Sequence, residues 1–222
     1  MVYRLAILIF GFGSLAAMAQ PVRVSTTQHF DFALGGTIRM KDSFGSLTVE
    51  GWDQPGVELT VVKSLHFGSE SGQKGTQHLD AIRVAAERGS GTELTISTSR
   101  PKRILNVTLE YRIRAPRGSH FVINHGSGDV SLTGMTGDIE VTSRRGDIVL
   151  MLPELASYSI DAHTRFGLVT SDLAAAARRK LSPGENLTQG GTAASHRLVV
   201  RVRYGGIAIK ELPREAVTPS EL

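Results

Sequence analysis

The chain has 222 residues, 24 of them glycine and none cysteine, with a formal net charge of +4. Without cysteine it can have no disulfide framework, thiol catalysis, thiolate metal site or lipid-modified N-terminal cysteine, so its own apolar core must hold the fold. The basic balance suits anionic partners, but no helix–turn–helix, zinc-finger or aromatic ribonucleoprotein motif accompanies it, and nucleic acid is not expected.

Met1 to Arg4 forms a short basic leader start, Leu5 to Ala17 is apolar, and Ala17-Met18-Ala19 is a small–x–small cleavage site. Residues 1–19 therefore read as a signal peptide, with the mature chain beginning at Gln20 outside the cytoplasm: periplasmic, on the cell surface or secreted. No later stretch is long and apolar enough to span a bilayer, so no transmembrane segment is expected in the mature chain. Residues 20–212 read as a single β-strand-repeat domain and 213–222 as a polar tail.

Short alternating runs rich in Val, Ile and Thr follow. Phe30, Phe32 and Leu34 alternate until Gly35-Gly36 breaks the run; Ile38 and Met40 start another, and Phe44 to Val49 a third. Pro55-Gly56 turns the chain toward Val57, Leu59 and Val61. Residues 66–77 are a Gly- and Ser-rich loop. A brief helix at 77–81 is predicted to lead into a strand at 82–87, and Arg88 to Thr92 into a hairpin completed by Leu94 and Ile96. Val107, Leu109, Tyr111 and Ile113 give the longest alternation before Phe121 and Ile123.

One phrase then occurs three times at an interval of nine: Gly128-Asp129-Val130-Ser131-Leu132, Gly137-Asp138-Ile139-Glu140-Val141 and Gly146-Asp147-Ile148-Val149-Leu150. Each copy is a turn signal followed by a strand, because Gly tolerates positive φ, Asp bonds nearby backbone, and an apolar–x–apolar triplet puts two side chains on one face. Weaker copies follow at Phe166-Gly167-Leu168-Val169 and Gly205-Gly206-Ile207-Ala208-Ile209, the latter expected as the final rung. Between them an insertion, 172–196, carries an Ala/Arg-rich minor helix over 172–181 and a peripheral polar loop.

Direct repetition in one direction predicts an all-β, parallel β-solenoid-like repeat with two strands per coil and Gly-Asp turns. Val130 then stacks on Ile148 while Ile139 lies on a different face; an antiparallel meander would reverse alternate strands. The N-terminal part carries hairpins. The turn residues are Gly128, Asp129, Gly137, Asp138, Gly146, Asp147, Gly167 and Gly206.

Segments 45–63, 107–150 and 197–212 (GSLTVEGWDQPGVELTVVK, VTLEYRIRAPRGSHFVINHGSGDVSLTGMTGDIEVTSRRGDIVL and RLVVRVRYGGIAIKEL) resemble the bacterial putative-adhesin family of exported β-strand-repeat proteins. The resemblance implies a solenoid-like fold outside the cytoplasm and brings no catalytic residue with it.

Calcium rolls need Asp two positions past a Gly, whereas here Asp follows Gly directly, so no metal or other cofactor is expected. Asp129 and Asp147, stacked on neighbouring coils, approach the spacing of a glycosidic acid–base pair, but no Tyr, Trp or His cluster accompanies them. His120 and His125, five apart, face opposite sides of a strand. His125, Ser127 and Asp129 are triad residue types on one turn, which cannot supply a triad's geometry. Basic groups such as Arg144-Arg145 and Arg197, Arg201 and Arg203 read as solvated strand faces, or as a contact for anionic envelope polymers or lipid headgroups. The expected function is a non-enzymatic module binding a surface, an envelope polymer or a partner protein. The alternative is a polysaccharide-active β-helix enzyme using ladder carboxylates.

Overall fold

The computed structural model describes residues 22–65, 77, 79–89, 92–100, 107–173, 177–181, 183–190 and 194–213. The 1–19 leader, nearly all of the 66–77 loop and residues 214–222 of the tail lie outside the described residues. In chain order the strands are β1 (Arg23–Phe30), β2 (Thr37–Phe44), β3 (Ser46–Trp52), β4 (Val57–Leu65), β5 (Arg83–Arg88), β6 (Glu93–Ser99), β7 (Val107–Pro116) and β8 (His120–Ser127). There follow β9 (Val130–Thr133), β10 (Ile139–Arg145), β11 (Ile148–Leu152), β12 (Tyr158–Phe166), β13 (Val169–Ser171), β14 (Ala177–Leu181), β15 (Gly184–Gln189), β16 (His196–Tyr204) and β17 (Ile207–Glu211). Ahead of β5, the Ala81 amide donates to Gln77 O at 3.1 Å, closing the short helical turn that the sequence predicts there.

The strands form two sheets, ordered β1-β4-β7-β3-β9-β11-β17-β13 and β14-β15-β12-β16-β10-β8-β2-β6-β5. Each coil is one strand of the second sheet followed by one of the first. The coils stack as β6/β7, β2/β3, β8/β9, β10/β11, β16/β17 and β12/β13, and every pairing between successive coils is parallel. Val130 pairs with Ile148 and Ser131 with Val149, while Ile139 lies in the opposite sheet beside Phe121 and Leu198. The chain is a two-strand solenoid and not a meander.

Alternation explains the core. In the first sheet Leu47, Val130, Ile148, Ile207 and Val169 stack in one inward row, with Val49, Leu132, Leu150 and Ile209 beside it. The second sheet answers with Ile38, Phe121, Ile139, Leu198 and Ile160, then Ile96, Met40, Ile123, Val141, Val200 and Ala162. All are buried, and each such Val, Leu, Ile or Phe contributes on the order of 1.5–3 kcal/mol in removal from water. A coil alone could bury none of them; stacking supplies the missing face.

Three sequence expectations are corrected. The Gly205 rung is not last: β17 pairs with β11 on one side and β13 on the other, so the C-terminal coil inserts between two earlier ones. The 172–181 helix is replaced, over Ala177–Leu181, by strand β14, paired antiparallel with β15, which in turn pairs with β12. Two isolated helical turns are marginal in water, whereas β12 would otherwise present a row of unpaired backbone groups. Nor is this segment peripheral, since Leu187 is fully buried and Glu185 nearly so. Antiparallel strands likewise close the other end, where β4 and β1 cover β7 and β5 covers β6.

Candidate functional site

Five coils cross from the second sheet to the first at a glycine: Gly45, Gly128, Gly146, Gly205 and Gly167. The first four have φ of +94°, +115°, +119° and +144°, which side chains resist. The crossings also stack too closely for one. A Cβ on Gly128 would lie 2.0 Å from Gly45 O, on Gly146 2.0 Å from Gly128 O, on Gly205 2.1 Å from Gly146 O, and on Gly167 2.0 Å from Gly205 O. Close approach lets the Gly128 amide donate to Arg145 O (2.9 Å), Gly146 to Tyr204 O (3.0 Å) and Gly205 to Phe166 O (3.0 Å).

Carboxylates extend this ladder. Asp129 Oδ1 accepts the Asp147 amide at 3.0 Å, and Asp147 Oδ1 accepts the Gly206 amide at 2.7 Å. Gly206 occupies the position of the aspartates, and Gly205 that of the corner glycines. Gly137 and Asp138 lie at the opposite corner, where a Cβ on Gly137 would be 2.3 Å from Ser119 O and Asp138 Oδ1 accepts the Arg197 amide at 2.8 Å. Each aspartate thus accepts a backbone amide across coils. Among the described residues no three His, Asp or Glu side chains gather as a metal-holding group.

Behind the glycine corner runs an inward, mostly polar row: Ser43, His125, Ser143 and Thr164, with Val202 between the last two, all buried. Ser43 Oγ and His125 Nδ1 lie 2.8 Å apart, Thr164 Oγ1 donates to Gly205 O at 2.7 Å, and Ser143 Oγ to Arg145 O at 3.4 Å. The row secures the corner from inside. Ser43 and His125 are 1% and 4% exposed, and among the described residues His125 Nε2 has no hydrogen-bond partner, so the pair is not presented to a substrate as a nucleophile and base. Beside them an open cleft of about 800 Å³ is lined by Asp42, Thr98, Arg100, Asn124 and Arg144.

Burial holds the His125 pKa below the ordinary histidine value. On acidification the unfolded chain therefore takes up a proton that the folded state refuses, so stability falls as pH drops through about 6.5 toward the folded pKa. Chemical denaturation from neutral pH to about pH 5 should show this loss, and His125→Gln should reduce it. An unchanged pH dependence would contradict the assignment.

The outward surface is the more distinctive part. The residues just before the corner glycines fall into line, and Arg145 pairs with Tyr204 and Tyr204 with Phe166. The Tyr204 and Phe166 rings stack with centroids 4.9 Å apart and planes 7° from parallel. Arg145 and Arg203 lie 5.9 and 5.3 Å from the Tyr204 centroid, and Arg165 lies 5.5 Å from that of Phe166. The same registers set Arg144, Arg203 and Arg165 side by side on successive coils, about 4.8 Å apart along the backbone. Among the described residues, none of Arg144, Arg145, Arg165 and Arg203 lies within 4.0 Å of a carboxylate, although neighbouring Arg201 pairs with Asp161 at 2.9 Å. Leu168, next to the last corner glycine, is 67% exposed; with Phe166 and Tyr204 it makes three of the four exposed large hydrophobic residues described, Leu34 being the fourth.

Sequence reading places the basic groups but not this cluster, since Phe166 and Tyr204 are far apart in the chain and their coils become neighbours only through the out-of-order insertion. A signal exists nonetheless: Arg145, Phe166 and Tyr204 each precede a corner glycine.

The family model described as Toastrack DUF4097 matches residues 27–210. No curated protein matches the chain. Among solved structures it is similar to a putative cell adhesion protein from Clostridium sporogenes, with TM-score 0.52 and 12% identity over 87% of this chain and 100% of that one. A putative adhesin from Bacteroides fragilis aligns with TM-score 0.35 and 11% identity over 85% of this chain and 97% of that one. At such identities the first likeness concerns the fold alone. Among the described residues no helix is long and apolar enough to cross a membrane.

Proposed function

We propose, starting from the fact that the chain belongs to the Toastrack DUF4097 family, that it is an exported, non-enzymatic binding module whose mature form begins at Gln20 and folds as one unit over 20–212. Its ligand is an anionic component of the cell envelope or of another surface. The observation carrying this reading is the corner where four arginines, without carboxylate partners among the described residues, surround a stacked aromatic pair and an exposed leucine. A rigid ladder holds these side chains at fixed intervals, so little ordering cost remains to be met on binding. The similarly shaped Clostridium sporogenes protein, named for cell adhesion, accords with such a role.

Glycosidic chemistry is the weaker reading. Asp129 and Asp147 each spend a carboxylate oxygen on a neighbouring coil's backbone amide, as parts of the stacking ladder. The test is to incubate the mature protein with an envelope fraction and follow both retention and glycan integrity. Saturable retention that weakens with salt, with no new reducing ends or unsaturated sugars, is expected. Absence of retention, or release of shortened glycan, would reject the proposal.

A further inference from the structure

We infer that the glycine corner of coils β10/β11, β16/β17 and β12/β13 docks on a lipid bilayer bearing anionic phosphate headgroups. This rests on the binding-module reading and names its ligand. Two independent features meet there. Arg144, Arg145, Arg165 and Arg203 supply charge that no described carboxylate neutralises, and a guanidinium offers forked donors matched to phosphate oxygens. Cation–π contact with Tyr204 and Phe166 limits the wandering of three of these side chains while leaving their N–H edges free.

Leu168 decides between a bilayer and a soluble polyanion. A polyanion in water would use the arginines but gain nothing from an aliphatic side chain 67% exposed at the tip of a turn, nor from ring edges beside it. At a membrane the same residues become useful: Leu168 enters the acyl boundary, Tyr204 and Phe166 sit at headgroup level, and the arginine stems lie along the apolar surface with their heads among phosphates. Concentration of the exposed apolar residues at one basic corner is the pattern this requires, and Leu34 is the single described exception. Association of this kind is shallow, reversible and salt-sensitive.

The test is sedimentation of the mature protein with vesicles of neutral phosphatidylcholine and with vesicles rich in phosphatidylglycerol. Binding should require the anionic lipid and fade with salt. Each arginine removed should lower partition roughly five-fold (about 1 kcal/mol per basic residue near the surface), so Arg144→Glu with Arg203→Glu should lower it by well over ten-fold. Arg112→Glu, on an exposed side chain of the other sheet, should leave it unchanged. Leu168→Ser should reduce vesicle binding several-fold without altering the thermal midpoint. Equal binding to both vesicles, or none, would overturn the inference. So would binding that Leu168→Ser leaves intact and soluble polyphosphate abolishes, a result that identifies a polymer site and leaves the binding-module reading standing. Failure to bind either envelope or vesicles would reject both.

Discussion

Gly146→Ala should unfold the protein, or leave so little stability that its unfolding transition loses cooperativity. The added Cβ would lie 2.0 Å from Gly128 O and 2.5 Å from Gly128 C, which are backbone atoms of the adjacent coil and cannot swing aside. Gly146 also sits at φ +119°, where a side chain is strained whatever the space. Relief would need these two coils to separate, breaking the hydrogen bond from Gly128 to Arg145 O that joins them. Strain, overpacking and the lost bond together reach on the order of 4–6 kcal/mol, against a total stability of roughly 5–15 for a domain. Gly118→Ala is the control, since nothing lies within 4 Å of its added Cβ and its φ is ordinary. It should shift the urea midpoint hardly at all. Equal behaviour of the two variants would mean that the corner glycines are not required for stacking.

Replacing residues 182–195 with a short Gly/Ser linker should be nearly as damaging. The segment contains β15, whose pairing with β12 covers the end of the second sheet. Leu187 is fully buried there, and Leu187→Ala alone should cost about 2–5 kcal/mol. Glu185, 5% exposed, accepts the Val169 amide at 2.8 Å, so its loss would strand a donor in the terminal coil. Calorimetry of the linker variant should show a transition far below the parent's, or none. A coincident transition would show that the solenoid ends at β12 without help.

The contrast between these two regions shows what a single sequence can convey. Strand direction was legible because Val130, Ile139 and Ile148 each follow Gly-Asp, and a phrase repeated in one direction requires parallel neighbours. The two-strand coil was legible too, since Ile148 pairs with Val130 and Ile139 lies in the opposite sheet. Coil order was not. Rows of Ile, Leu and Val accept one another in any sequence, so nothing in Ile207 or Leu198 announces that they lie between β11 and β13, or between β10 and β12. The same ambiguity hid the stacked Tyr204–Phe166 pair, which exists only because these coils are neighbours. The Ala/Arg run before β15 misleads for another reason: local helix propensity is worth tenths of a kcal/mol per residue, and an open sheet edge outweighs it.

The claim that this corner is the binding surface can be tested by placing a single reactive thiol there. The native chain has no cysteine, so Leu168→Cys carries one site for a photo-reactive label, and Leu34→Cys, in the loop before β2, provides a control at least as exposed. Illumination of envelope-bound protein should attach envelope material to the label at position 168 and not at 34. Attachment at 34 alone, or equally at both, would contradict the account.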